Sequence, residues 1–177
     1  MSVITTLFKR RARNAGSMLL LALTLSACGF HLRGSGGQYN LPFNSVYLGF
    51  AETSPLGNEL KRNVRAIGST RVLPDATGAE AVLDVLSETR GKSILSLNNQ
   101  GRVREYLLTY TLVFRVRDSQ GAELLGPTEI SLKRSISFNE TQLLAKEGEE
   151  TLLNRDMQTD LVQQVMRRLA AIKPAKP

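Results

Sequence analysis

The stretch "RVREYLLTYTLVFRVRD", residues 102–118, decides how this chain folds. Tyr106, Leu108, Tyr110, Leu112, Phe114 and Val116 recur at every second position, which is the period of a β-strand, so they share one strongly apolar face. The other face carries Val103, Glu105, Leu107, Thr109, Thr111, Val113, Arg115 and Arg117, a mixed set that suits partial cover. A strand with one such apolar face needs a second layer to bury it.

Working outward, "NNQG" at 98–101 and "SQG" at 119–121 are turn chemistry on either side of this strand. Upstream, "EAVLDVLSETR", 80–90, alternates with Leu83 and Val85 on one face and begins a further strand. Downstream, "EISLKRSISF", 129–138, alternates with Ile130, Leu132, Ile136 and Phe138 inward and Arg134 among them. "SVYLGF", 45–50, has the composition of a first strand. Ser54 and Pro55 supply an N-cap and a first helical position, and Leu56, Leu60, Val64 and Ile67 repeat at helical spacing up to Gly68. Glu147, Glu149 and Glu150 suit the N-terminus of a helix starting near Glu147, whose stripe is Leu153, Met157, Leu161, Val165 and Leu169 and which ends before Pro174. The expectation is an α+β two-layer sandwich: an about four-stranded, mostly antiparallel sheet with two helices on one face, one domain over 41–173 and a frayed tail at 174–177. The opposite sheet face remains available.

The first 27 residues read differently. Lys9, Arg10, Arg11 and Arg13 precede "MLLLALTL", 18–25, an apolar run too short for a permanent membrane anchor and well sized for a signal-peptide core. Without residues 1–27, the 23 basic side chains fall by four to 19 against 16 acidic ones, so the net charge falls from +7 to +3. Nucleic-acid binding, which the whole-chain charge suggests, then loses its compositional support. Leu25-Ser26-Ala27-Cys28 resembles a bacterial lipobox, which implies a diacylglycerol on the thiol, cleavage before Cys28 and N-acylation of the new amine; a buried free thiol is the alternative. Cys28 is the only cysteine, so no disulfide forms within the chain. Gly29 follows where such lipoproteins often carry Asp for inner-membrane retention, and this favours the outer membrane, periplasmic side. Residues 28–40, including "GSGGQ" at 34–38, read as the lipidated start and a flexible tether.

The mature start "CGFHLRG" resembles that of the lipopolysaccharide-assembly lipoprotein LptE family, and "GRVREYLLTYTLVFRV" and "RSISFNETQLLAKEGEE" resemble its strand and pre-helix segments. The resemblance implies a non-enzymatic role: plugging the β-barrel LptD, assisting its assembly, and binding lipopolysaccharide on its way to the outer leaflet. The rival from another class is a periplasmic lipid carrier or adaptor that enters no barrel. Family members often carry a tail beyond the last helix, whereas this chain stops at Pro177.

A lipopolysaccharide binder needs cations for phosphate beside apolar surface. Residues 90–117 hold six basic side chains (Arg90, Lys92, Arg102, Arg104, Arg115, Arg117) against Glu105 alone. Arg102 and Arg104 rank first because they flank a turn; Lys133, Arg134 and Lys146 follow. Each has a plain structural reading beside the functional one: a solvated hairpin edge for the first two, an arginine bridging helix and sheet for Arg134, a neutralised neighbour of Glu147 for Lys146. Catalysis finds little foothold, since the single histidine, His31, lies in the tether and no metal-ligand cluster is apparent. No cofactor is expected apart from the covalent lipid on Cys28.

Overall fold

A computed structural model describes residues 39–139, 141 and 143–173; Cys28, His31, the tether and the tail from 174 lie outside them. In chain order the elements are β1 (Ser45–Gly49), α1 (Pro55–Ile67), β2 (Arg71–Leu73), β3 (Ala81–Leu97), β4 (Val103–Arg117), β5 (Glu123–Ser137) and α2 (Leu143–Ala170). The sheet order is β2-β1-β3-β4-β5, with β1 parallel to both β2 and β3 and the other pairs antiparallel. The α+β two-layer expectation holds, with five strands where about four were expected. The additional one, β2, is only three residues long and pairs with β1 alone, too short to leave a periodic signal.

Local chemistry explains the elements. Ser54 caps α1, its Oγ accepting from the Gly57 N–H at 3.1 Å, and Gly68 closes the helix at φ 78°, a left-handed position that favours glycine. The two hairpin turns are built alike. Asn98 Oδ1 accepts from the N–H groups of Gln100 and Arg102, Asp118 Oδ1 accepts from those of Gln120 and Ala122, and Gly101 and Gly121 both have positive φ. The meander between them is longer than the sequence suggests: β3 runs on to Leu97, and β5 starts at Glu123. Pro127, which cannot donate to a ladder, sits in edge strand β5 between register positions Leu125 and Thr128, where the pairing with β4 shifts. The last helix begins at Leu143, four residues before the expected start, so Glu147, Glu149 and Glu150 fall beyond its first turn, and Glu149 and Glu150 serve as side-chain partners of Lys146 and Lys92 instead.

The core lies between the sheet and the helices. From β4 it takes Leu108, Tyr110, Leu112, Phe114 and Val116; from α1 Leu56, Leu60 and Val64; and from α2 Met157, Leu161, Val162, Val165, Met166 and Leu169. Among the described side chains of α2 every fully buried one lies at or beyond Met157, and in the first half of the helix only Leu153 packs partly against the core. β1 pairs with β3 only over Ala81–Asp84, which leaves the distal meander of β3, β4 and β5 projecting past the five-stranded region. On the opposite side, Asp84 joins β3 to β4 through Arg117 at 2.9 Å and Arg115 at 3.1 Å. Burial alone would raise the Asp84 carboxyl, but hydrogen bonds and charge from the two arginines outweigh it and hold it below the usual carboxylate range. The contribution is therefore present at neutral pH and lost as pH falls through that lowered value.

Gly57 gives a test in which propensity and packing oppose each other. Replacing an interior helical glycine by alanine ordinarily gains about 1 kcal/mol. Here an added Cβ would lie 2.4 Å from Phe50 Cβ, and Phe50 is itself buried. Gly57→Ala is expected to destabilise the domain by about 1–3 kcal/mol, read as a lower urea midpoint with an unchanged slope.

Candidate functional site

β3 makes an irregular step at Leu86. Before it, Leu83 and Val85 stand opposite Val116 and Phe114; after it, Glu88, Arg90 and Lys92 stand opposite Leu112, Tyr110 and Leu108. One extra residue thus turns an acidic and two basic side chains toward the helices, and sends Ser87, Thr89, Gly91 and Ser93 to the open face.

These three side chains organise a polar belt between the core and the distal meander. Tyr110 donates from its hydroxyl to Glu88 Oε1 at 2.7 Å and accepts from Arg90 Nη2 at 2.7 Å, and Ser54 Oγ donates to Glu88 Oε2 at 3.2 Å. Arg90 Nη2 also reaches Gln158 Oε1 at 3.0 Å, and Gln158 Nε2 donates to Glu59 Oε2 at 2.6 Å, which joins β3 to α2 and α2 to α1. The Arg90 guanidinium lies 4.2 Å from the centroid of the Tyr110 ring. Burial, then the hydrogen bond to Glu88, push the Tyr110 phenol up to about 12 against a partial opposing effect of Arg90.

Beyond the belt the distal end gathers cations and aromatic rings. Lys92 Nζ lies 4.4 Å from the Tyr106 ring centroid and pairs with Glu150 of α2, and Tyr106 meets Phe138 edge-on at 5.4 Å. Lys146 Nζ donates to Ser137 Oγ at 2.9 Å and to Glu149 at 2.7 Å. Lys92, Tyr106, Ile136, Phe138 and Lys146 line a small cavity of about 90 Å³. A larger groove of about 510 Å³ runs between β3 and α2 past Arg90, Lys92, Asn154, Arg155 and Gln158.

Of the five cations singled out from the sequence, the fold brings three to this end. Arg102 and Arg104 stand at the β3–β4 turn, and Lys146 is held at the end of β5 by Ser137. Arg134 lies three positions back on the helix side of β5, where it bridges sheet and helix through Asp160 at 2.7 Å. Lys133 stands opposite Thr109 on the other face, apart from the rest. Lys146 pairs with Glu149 rather than with its neighbour Glu147. Arg104 is exposed, and its side chain has no ion-pair or hydrogen-bond partner among the described residues. Sequence reasoning did not single out Lys92, Tyr106 or Phe138 as site residues; the i, i+2 spacing of Arg90 and Lys92 was the available signal. The open face is rich in hydroxyls, with Thr111 and Ser131 hydrogen-bonded at 2.9 Å. Among the described residues no group of three or more His, Cys, Asp or Glu side chains could hold a metal ion.

This architecture is that of a class of bacterial lipoproteins with known structures. The solution NMR structure of an uncharacterized lipoprotein B from Nitrosomonas europaea matches with a TM-score of 0.70 at 39% identity, covering 81% of this chain and 91% of that one. The crystal structure of a minor lipoprotein from Acinetobacter baumannii matches with a TM-score of 0.61 at 27% identity, covering 78% and 100%. Residues 43–169 match the family model described as LptE, Lipopolysaccharide-assembly. The chain belongs to that family. Curated relatives include the LPS-assembly lipoproteins LptE of Pectobacterium atrosepticum, 27% identical over 86% of this chain and 82% of that protein, and of Photorhabdus laumondii, 26% identical over 89% and 85%.

The belt makes a spectroscopic prediction. In an alkaline titration followed by tyrosinate absorbance, one phenol ionises near pH 12, and this step is missing in Tyr110→Phe. Because the folded-state value exceeds the unfolded one, the stabilisation Tyr110 gives is complete below about pH 10 and is lost as pH rises through about 12.

Proposed function

We propose that this chain is an outer-membrane lipoprotein, anchored on the periplasmic side through acyl chains on Cys28, that plugs and assists assembly of the LptD β-barrel and binds lipopolysaccharide during its delivery to the outer leaflet. Membership of the lipopolysaccharide-assembly family carries the reading. Two surfaces support it. The open face of β3, β4 and β5 offers Thr, Ser and Lys side chains suited to hydrogen bonding with the polar interior of a barrel. The distal end places Arg102, Arg104 and Lys146 near aliphatic and aromatic side chains, the combination that phosphorylated sugars joined to acyl chains require.

The cations contribute unequally in this reading. Arg134 is already charge-compensated by Asp160 and Lys146 by Glu149, while Arg104 is available to a phosphate. Loss of a charged hydrogen bond costs about 1.5 kcal/mol, roughly tenfold in affinity. Arg104→Ala is therefore expected to weaken lipopolysaccharide binding by roughly that factor, and Arg134→Ala by less, in a binding titration of each variant. The barrel partnership is tested separately. Mild detergent extraction from the native host should recover the chain with a large β-barrel protein, whereas a chain recovered alone that retains lipid in native mass spectrometry would establish the carrier reading instead.

A further inference from the structure

The end of the β3–β4 hairpin carries exposed aliphatic side chains that neither barrel hydroxyl contacts nor the belt explains. Ile94 is 57% exposed, Leu95 49% and Leu97 54%. They fall where the pairing shifts between Ile94 and Ser96 and again between Ser96 and Leu97. Strict alternation would send successive side chains to two defined faces, and these shifts break it at the point where the aliphatic residues cluster. The result is a hairpin end with apolar side chains that α2 does not cover.

The hairpin end itself is basic, with Arg102 and Arg104 against Glu105. Arg102 and Arg104 belong to this end, and Lys92 and Lys146 flank it. The nearest acid, Glu105, accepts from Ser96 Oγ at 2.6 Å; towards α2, Glu150 pairs with Lys92, Glu149 pairs with Lys146, and Glu147 lines the same small cavity as the two lysines. Large exposed aliphatic groups next to cations have a chemical counterpart in an anionic lipid surface, where acyl chains lie just beneath phosphates.

We propose that the β3–β4 hairpin end docks on an anionic phospholipid bilayer, placing Ile94, Leu95 and Leu97 at the level of the acyl-chain boundary and Arg102 and Arg104 among the headgroup phosphates. Four residues of strand, 94–97, span about 13 Å, comparable to the roughly 5–10 Å to which interfacial elements bury. No helix among the described residues is long and apolar enough to cross a membrane. A fluid surface also suits the irregular register better than a shaped protein groove does, because it accepts side chains leaving in several directions. Three half-exposed aliphatics and a few charges make a weak contact alone. That suffices where the chain is held at a membrane already, since a second contact then forms at high effective concentration. This docking does not depend on barrel plugging, and enclosure of the hairpin end in a barrel would compete with it.

The chain contains no tryptophan, so one introduced indole reports one place. Leu95→Trp is compared with Ile94→Trp and with Leu152→Trp, the last a 63% exposed position on α2. Each purified variant is reconstituted, without barrel protein or lipopolysaccharide, into vesicles of phosphatidylcholine alone or mixed with phosphatidylglycerol, with brominated acyl chains as quencher. At positions 94 and 95 the emission should shift to the blue and be quenched in the anionic vesicles, while position 152 should show neither change. Adding Arg102→Gln and Arg104→Gln should cut the quenching several-fold, as should raised salt. Equal quenching at all three positions, or none at 94 and 95, overturns the proposal. So does a blue shift that appears only on adding barrel protein, which would assign the hairpin end to a protein contact. Failure of the barrel reading shows as absence of a barrel in co-purification and leaves the quenching result unaffected.

Discussion

The structure depends on one irregularity in strand pairing, the extra residue at Leu86 in β3. Up to Val85 the strand gives the core aliphatic side chains in step with β4. From Glu88 onward the same face carries a carboxylate, a guanidinium and an ammonium at the exposed border of the core. In strict alternation from Val85, the side chains facing α2 would be Ser87, Thr89, Gly91 and Ser93, and Glu88, Arg90 and Lys92 would stand on the open face. The shift therefore converts a uniform hairpin into two regions with different chemistry, and it does so with one residue.

Each region fixes a different part of α2. At and beyond Met157 the helix is held by burial of Met157, Leu161, Val162, Val165, Met166 and Leu169, where truncation of one large side chain costs about 2–5 kcal/mol. Before Met157 it is held by partial packing of Leu153 on the core and by Lys92–Glu150 and Lys146–Ser137, contacts that are partly exposed and individually weak. The belt of Ser54, Glu88, Tyr110, Arg90, Gln158 and Glu59 stands at the junction and has no buried side-chain polar atom without a partner among the described residues. A fully satisfied network of this kind sets the angle at which the helix leaves the core, because each of its members has one geometry that satisfies all the others.

This division also explains which features could be read from the sequence. β4 was legible because its even positions are apolar from Tyr106 to Val116 and its pairing with β5 is regular from Glu105 to Phe114. α1 was legible because Ser54, Pro55 and Gly68 mark its ends. The far part of β3 was not, since period-two reasoning carries a face assignment forward and an inserted residue reverses it without any compositional trace. The start of α2 escapes the sequence pattern for a related reason: three carboxylates suit a helix dipole, whereas Glu149 and Glu150 serve Lys146 and Lys92. Arg102 and Arg104 were correctly placed at a turn, but only three-dimensional pairing shows that Arg134 is spoken for by Asp160 and that Lys133 faces away.

Placing cations between a sheet and a helix has a consequence for how the distal end responds to a ligand. Lys92 of β3 holds Glu150 of α2, and Lys146 of α2 holds Ser137 of β5 while pairing with Glu149 within the helix, so an incoming phosphate competes with Glu150 and Ser137 for these two ammonium groups. Any phosphate that wins this competition releases the first half of α2 from two of its attachments, while the hydrophobic second half and the belt stay in place. The energetic difference between the two halves would confine such a release to the segment before Met157. A meander anchored through an apolar layer at one end and through exchangeable ion pairs at the other can open locally without unfolding.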